Sequence, residues 1–137
     1  QVERYPEMLK RRKAIIGKYD AALKTFGVES LPHYTDEGQS SGHLYITRVP
    51  GITVEQRNEI IIKMAERGIA TNVHYKPLPM HTAYKNLGFD IADYPNAYAH
   101  FANEITLPLH TCLTDEDVDY VIEAYVKVLA DYVENNK

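Results

Sequence analysis

The residues best suited to chemistry stand together in "GIATNVHYKPLPMH", Gly68 to His81. His74, Tyr75 and Lys76 follow one another there, and His81 comes just after two prolines. An imidazole can donate or accept a hydrogen bond, a phenol does so from the end of a rigid ring, and an ammonium meets an anion. Together the three side chains could bind and orient a polar ligand at a chain turn fixed by Pro77 and Pro79. Each also has a plainer use: His74 as a strand-end hydrogen bonder, Lys76 as a solvated surface charge. His43 is read in the same two ways, and Tyr45, Tyr84 and Tyr94 suit a core or an interface better than a ligand.

Other chemistries find little support. His74 and His81 are seven residues apart and His110 follows a later strand, so none of the close pair spacings of zinc sites occurs and no metal is expected. Cys112 is alone, which rules out an intrachain disulfide and fits a reducing, cytoplasmic setting; it reads as a small apolar filler and not as a nucleophile. The seven glycines are scattered, with no loop to cradle a phosphate. No catalytic residue is assigned.

The net charge of -4 and the single short basic run "KRRK" argue against nucleic acid, which needs a concentrated basic face. No apolar run approaches the length of a membrane span, so no membrane partner is expected. With 45% hydrophobic and 25% charged residues in 137, the composition is that of one soluble globular domain.

Positioning that cluster falls to elements that hydrophobic spacing makes visible. Val2, Tyr5, Leu9, Ile16, Tyr19, Leu23 and Phe26 predict one long amphipathic helix over residues 1–26, broken where Arg12 replaces an apolar residue and stopped by Gly27. Arg12 would need solvent or a carboxylate. Residues 28–42 read as a polar loop. "HLYITRV", His43 to Val49, reads as a strand, with Tyr45, Thr47 and Val49 alternating against Leu44, Ile46 and Arg48. Thr53 and Gln56 form a capping box that opens a helix over 54–67, closed by Gly68.

"IATNVHY" is then predicted as a second strand, with His74 and Tyr75 on opposite faces. Two short helices around "TAYKNLG" and "NAYAHFAN" lead to a third strand, "EITLPL", where Pro108 marks an edge or an end. Thr114 and the acids after it begin a final helix, whose stripe runs through Val118, Val121, Ile122, Tyr125, Val128, Leu129 and Tyr132. The economical assembly is an α+β domain. It has a small, mainly antiparallel sheet of about three strands, with helices packed on one face and the other face free to meet something else.

Several runs together resemble the C-terminal part of the DegT-type (DegT/StrS) sugar aminotransferases, pyridoxal phosphate enzymes of the fold-type I aspartate aminotransferase superfamily. They are "RYPEMLKRRKAIIGKYDAAL", "SGHLYITRV", "ERGIATNVHYKPLPMHTAYKNLG" and "DYPNAYAHFANEITLPLHTCLTDEDVDYVIEAY". The likeness extends over nearly the whole chain, and its specificity lies in their order and spacing. Three departures stand out: Thr111 where many members have proline, Tyr98 where an acid commonly follows the "YP" dipeptide, and Lys76 at a place often held by proline.

The resemblance implies that residues 1–137 are a single domain, the small C-terminal domain of a longer enzyme. The helix over 1–26 would link it to the large N-terminal domain. Gln1 already lies inside a helical pattern and the first methionine is Met8, which agrees with a piece of a longer protein. By the same resemblance, the Schiff-base lysine, the acid that pairs the pyridine nitrogen and the main phosphate-binding groups belong to the large domain. This chain alone would then bind no pyridoxal 5'-phosphate and be catalytically silent. The implied partners are that large domain, a nucleotide-linked keto-sugar for polysaccharide or aminosugar biosynthesis, and a second subunit in a homodimer. His74 and Tyr75, with Lys76 beside them, become the substrate-binding candidates. A stand-alone ligand-binding or interaction module, without catalysis, is the alternative that the size and architecture allow.

Overall fold

The computed structural model describes residues 2–133. The long N-terminal helix is there as α1, Tyr5–Leu23, extended by one turn of 3-10 helix at each end, Val2–Arg4 and Lys24–Phe26. It stops where Gly27 takes the left-handed conformation at φ 69°. Ile15, Ile16, Tyr19 and Leu23 are its buried stripe. Arg12, the break in the seam, meets a backbone carbonyl at a partly exposed position. It is half-buried against the turn at Ser41 and Gly42, and its Nη1 donates to the Ser41 carbonyl at 3.3 Å. The turn can come that close because residue 42 is a glycine: a Cβ there would meet Ile16 Cδ1 at 3.0 Å and Arg12 Cβ at 3.3 Å, at a φ of +61°.

Residues 28–42 are more ordered than a loop. They hold β1, Glu29–Ser30, and a tight hairpin of β2, Tyr34–Thr35, with β3, Gly38–Gln39. Two-residue strands are too short for alternation to register in the sequence. β4, Tyr45–Arg48, is the predicted strand, and β5, Glu104–Leu107, is the third, ending just before Pro108. The sheet order is β1-β4-β5, antiparallel throughout, with Tyr45 opposite Leu107 and Thr47 opposite Ile105.

α2, Val54–Ala65, starts at the expected capping box: Gln56 N–H donates to Thr53 Oγ1 at 3.2 Å and Thr53 N–H to Gln56 Oε1 at 2.9 Å. Two four-to-eight-residue helices follow, α3 at Thr82–Lys85 and α4 at Pro95–Ala102. α5, Asp115–Val133, is capped in the same reciprocal way, Asp117 N–H to Thr114 Oγ1 and Thr114 N–H to Asp117 Oδ2. Its buried residues are those of the predicted stripe, except that Ile122 is only half-buried and Ala124 joins them.

The core lies between α1, α2 and α5 and one face of β4 and β5. Inside it Thr47 Oγ1 donates to the Ile105 carbonyl at 2.6 Å, which leaves its lone pairs to accept from Tyr125 OH at 2.9 Å. Tyr45 OH donates to Asp20 at 2.7 Å and Tyr19 OH to the Pro108 carbonyl at 2.8 Å, so each large buried phenol has a partner. Burial pushes all three phenols above their ordinary range, and for Tyr45 the bond to Asp20 adds to it.

Candidate functional site

The second predicted strand, Ile69 to Tyr75, does not form as a strand. Only Asn72 pairs with β5, exchanging both backbone bonds with Thr106: Thr106 N–H to the Asn72 carbonyl at 2.8 Å, and Asn72 N–H to the Thr106 carbonyl at 3.3 Å. Beyond it side chains take the backbone donors that a ladder would use. Val73 N–H bonds to Asn72 Oδ1 at 2.8 Å and His74 N–H to Glu104 Oε2 at 2.8 Å. Alternating apolar character was therefore a true sign of an extended segment beside β5 and a false sign of a paired one.

His74 and Tyr75 are also not on opposite faces. Their rings touch edge to face, 4.8 Å between centroids at 90°, and the peptide bond joining them is cis. His74 is half-buried while Tyr75 is 73% exposed, so one ring is anchored and the other projects. Lys76 follows, exposed. His81 is drawn back to the same turn, its Nε2–H directed at the Lys76 carbonyl at 3.3 Å, which ties the two ends of the proline segment. Within this stretch His74 and Tyr75 touch through their rings, and His81 bonds to the backbone of Lys76.

What holds His74 escaped the sequence reading. Glu104 and Thr106, two residues apart on β5 and so on one face of it, are 4% and 5% exposed. Thr106 Oγ1 donates to Glu104 Oε1 at 2.6 Å and lies 3.0 Å from His74 Nδ1. Nearby Arg57, only 2% exposed, bonds through Nη1 to the Phe101 carbonyl at 2.9 Å and lies 4.8 Å over the Phe101 ring. Burial lowers its pKa, and the charge of Glu104 is the largest influence opposing that. A buried acid and a buried arginine are therefore both part of this region, the arginine bonded to the Phe101 carbonyl and the acid to Thr106 and the His74 backbone. The available signal was a glutamate at the start of the third strand and an arginine within the helix after Thr53. The sheet face predicted to be free is covered at β5 by this cluster.

The remaining candidates part company with it. Tyr45 is a core residue, stacked on His33 with ring centroids 5.7 Å apart at 6°. Tyr84 packs edge-on against Phe89 at 6.0 Å, and Tyr94 is 40% exposed. Cys112 is exposed, which corrects its reading as an apolar filler: it lies in the short turn between β5 and α5, outside the buried core.

The DegT/DnrJ/EryC1/StrS aminotransferase family model matches residues 1–126. The chain belongs to this family. Among solved structures it is similar to Spr1654 of Streptococcus pneumoniae, designated a sugar aminotransferase. Identity is 56% and the TM-score 0.93, over 98% of this chain and 34% of that one. The same protein has been solved in forms named for pyridoxal phosphate and for pyridoxamine phosphate. Among curated relatives, the spore coat polysaccharide biosynthesis protein SpsC of Bacillus subtilis is 37% identical over 90% of this chain and 33% of its own length. The dTDP-4-dehydro-2,3,6-trideoxy-D-glucose 4-aminotransferase of Saccharopolyspora spinosa is 29% identical over 97% of this chain and 33% of its length. The chain therefore spans about a third of the family members it matches.

A pyridoxal cofactor needs a lysine amine in an enclosed site with phosphate donors around it. Among the described residues no lysine is buried, and Lys18 and Lys63 are already directed at Asp119 and Asp131 at 2.9 Å and 3.3 Å. No helix of the described residues is long and apolar enough to cross a membrane.

Proposed function

We propose that this chain is the C-terminal domain of a longer pyridoxal phosphate-dependent aminotransferase that passes an amino group to a nucleotide-activated keto-sugar in polysaccharide or aminosugar biosynthesis. In this reading the domain supplies substrate contacts from His74, Tyr75 and Lys76. The large N-terminal domain supplies the cofactor lysine and the phosphate site, and the complete enzyme works in the cytoplasm as a homodimer. Family membership and the span of about a third of each relative support a partial chain. The nucleotide sugar in the name of the Saccharopolyspora spinosa relative supports the substrate class.

The observation that carries the site is the pairing of an anchored ring with a projecting one. His74 is fixed from behind by β5, and Tyr75 stands 73% exposed against it. A phenol kept that far out of the core has no structural partner to satisfy, and a histidine with one nitrogen engaged keeps the other for a ligand. Since the cofactor is the electron sink when bound, the task left to such residues is to orient the sugar and help exclude water.

The test is kinetic. In the complete enzyme, His74→Ala and Tyr75→Phe should each raise the Michaelis constant for the sugar about fivefold to tenfold, the loss of roughly one hydrogen bond, with the fold intact. Unchanged kinetics in both variants would return the cluster to a structural role. The 137 residues alone should give no cofactor–lysine absorption band and no turnover. Transamination by this chain by itself would overturn the partial-chain reading.

A further inference from the structure

We propose that Thr106 and Glu104 are positioning residues that fix His74 in one tautomer, with hydrogen on Nδ1 and a bare lone pair on Nε2. His74 would then receive a hydrogen-bond donor of the substrate, such as a sugar hydroxyl, and not a phosphate oxygen. This rests on the reading that His74 touches the substrate, and it adds the direction of the bond and the residues that set it.

A threonine hydroxyl has one hydrogen, and Thr106 gives it to Glu104 Oε1 at 2.6 Å. Toward His74 Nδ1, 3.0 Å away, the same oxygen can only accept, so Nδ1 must carry a hydrogen. Glu104 is held as the acceptor from a second side, because its Oε2 takes the His74 backbone N–H at 2.8 Å. Thr106 Oγ1 and the His74 backbone N–H thus each direct a hydrogen at that side chain, one at each oxygen.

Glu104 and Thr106 are nearly inaccessible and Thr106 is pinned through its backbone to Asn72, so the hydroxyl has little freedom to turn its hydrogen elsewhere. A neutral imidazole protonated at Nδ1 presents Nε2 as a lone pair. Phosphate oxygens have only lone pairs to offer, so the two would repel; hydroxyl and amine hydrogens fit.

Two-bond proton–nitrogen NMR of the 137-residue chain reads the tautomer directly, in a sample alkaline enough to keep the ring neutral. His74 should show a pyrrole-like Nδ1 and a pyridine-like Nε2. The opposite pattern in the unaltered protein would overturn the proposal. Thr106→Val keeps the shape and removes the hydroxyl, and should shift the ring toward hydrogen on Nε2; Thr106→Ser should restore the original pattern. In the complete enzyme, Thr106→Val should raise the sugar's Michaelis constant roughly fivefold to tenfold with little change in kcat, rescued by serine.

The two readings fail separately. The expected tautomer with no kinetic effect of His74→Ala removes the substrate contact and leaves the relay. The opposite tautomer with a strong kinetic effect removes the relay and leaves the contact.

Discussion

At the scale of single residues, what matters is which polar groups are buried and what each of them meets. His33 shows this away from the candidate site. It is 8% exposed, stacked on Tyr45, and its Nδ1 lies 3.1 Å from Ser40 Oγ. Burial lowers its pKa below the ordinary imidazole value, with the charge of Asp20 opposing. The unfolded chain therefore binds this proton more readily than the folded one. Stability should be fully present above about pH 6.5 and should fall as the pH drops through that value toward the folded one. Urea midpoints at about pH 7.5 and pH 5.5 check it: His33→Phe, which keeps the ring stack, should flatten the difference. An unchanged slope would mean that His33 titrates as it does in the unfolded chain. Asp115 and Asp117 shift the other way: the hydrogen bond from Arg11 lowers the first, and those from Thr114 lower the second. What they contribute is lost only in a separate window, below about pH 4.

At the scale of elements, the sheet and its last helix are joined by one shared hydroxyl. Thr47 lies on β4, accepts from Tyr125 of α5 at 2.9 Å and donates to β5 at 2.6 Å, all within the buried core. Thr47→Val should cost about 1–3 kcal/mol in chemical denaturation, because it leaves the Tyr125 hydroxyl buried without that partner. Adding Tyr125→Phe should recover part of the loss. Strictly additive losses would show that the bond carries no stability.

α1, α2 and α5 were legible because their apolar spacing and their Thr53 and Thr114 caps are local signals, and β4 was legible from its alternation. The segment carrying His74 was not. His74 N–H meets a side chain of β5, Glu104, thirty residues away in sequence, in place of a backbone carbonyl, and a long-range side-chain acceptor leaves no trace in local pattern. The His74, Tyr75 and Lys76 cluster could be named from residue types, but not the acid and hydroxyl behind it, since Glu104 and Thr106 sat inside what read as an apolar strand.

At the scale of the whole molecule, the chain has two unequal parts. Every buried residue lies outside 71–103, while that stretch carries Tyr75, Leu78, Leu87, Phe89, Tyr94 and Tyr98 between 40% and 74% exposed. Its anchors to the rest include Asn72 and His74 on β5, the Arg57 bond to the Phe101 carbonyl, and Asn103, which accepts from Val49 N–H and Arg48 Nε. Regions with few buried apolar contacts open at low free energy, whereas a packed core opens only with the whole protein. Amide hydrogen exchange of the 137-residue chain should therefore protect α1, β4 and α5 far more strongly than α3 and α4. Arg57→Met, which keeps bulk but removes the bond to Phe101, should loosen α4 further while leaving α5 nearly unchanged. Equal protection of α4 and α5 would refute the two-part description. If the large domain covers this surface in the complete enzyme, the same amides should become protected there. Their exchange then reads how far the domain carrying Tyr75 depends on the rest of the protein for its order.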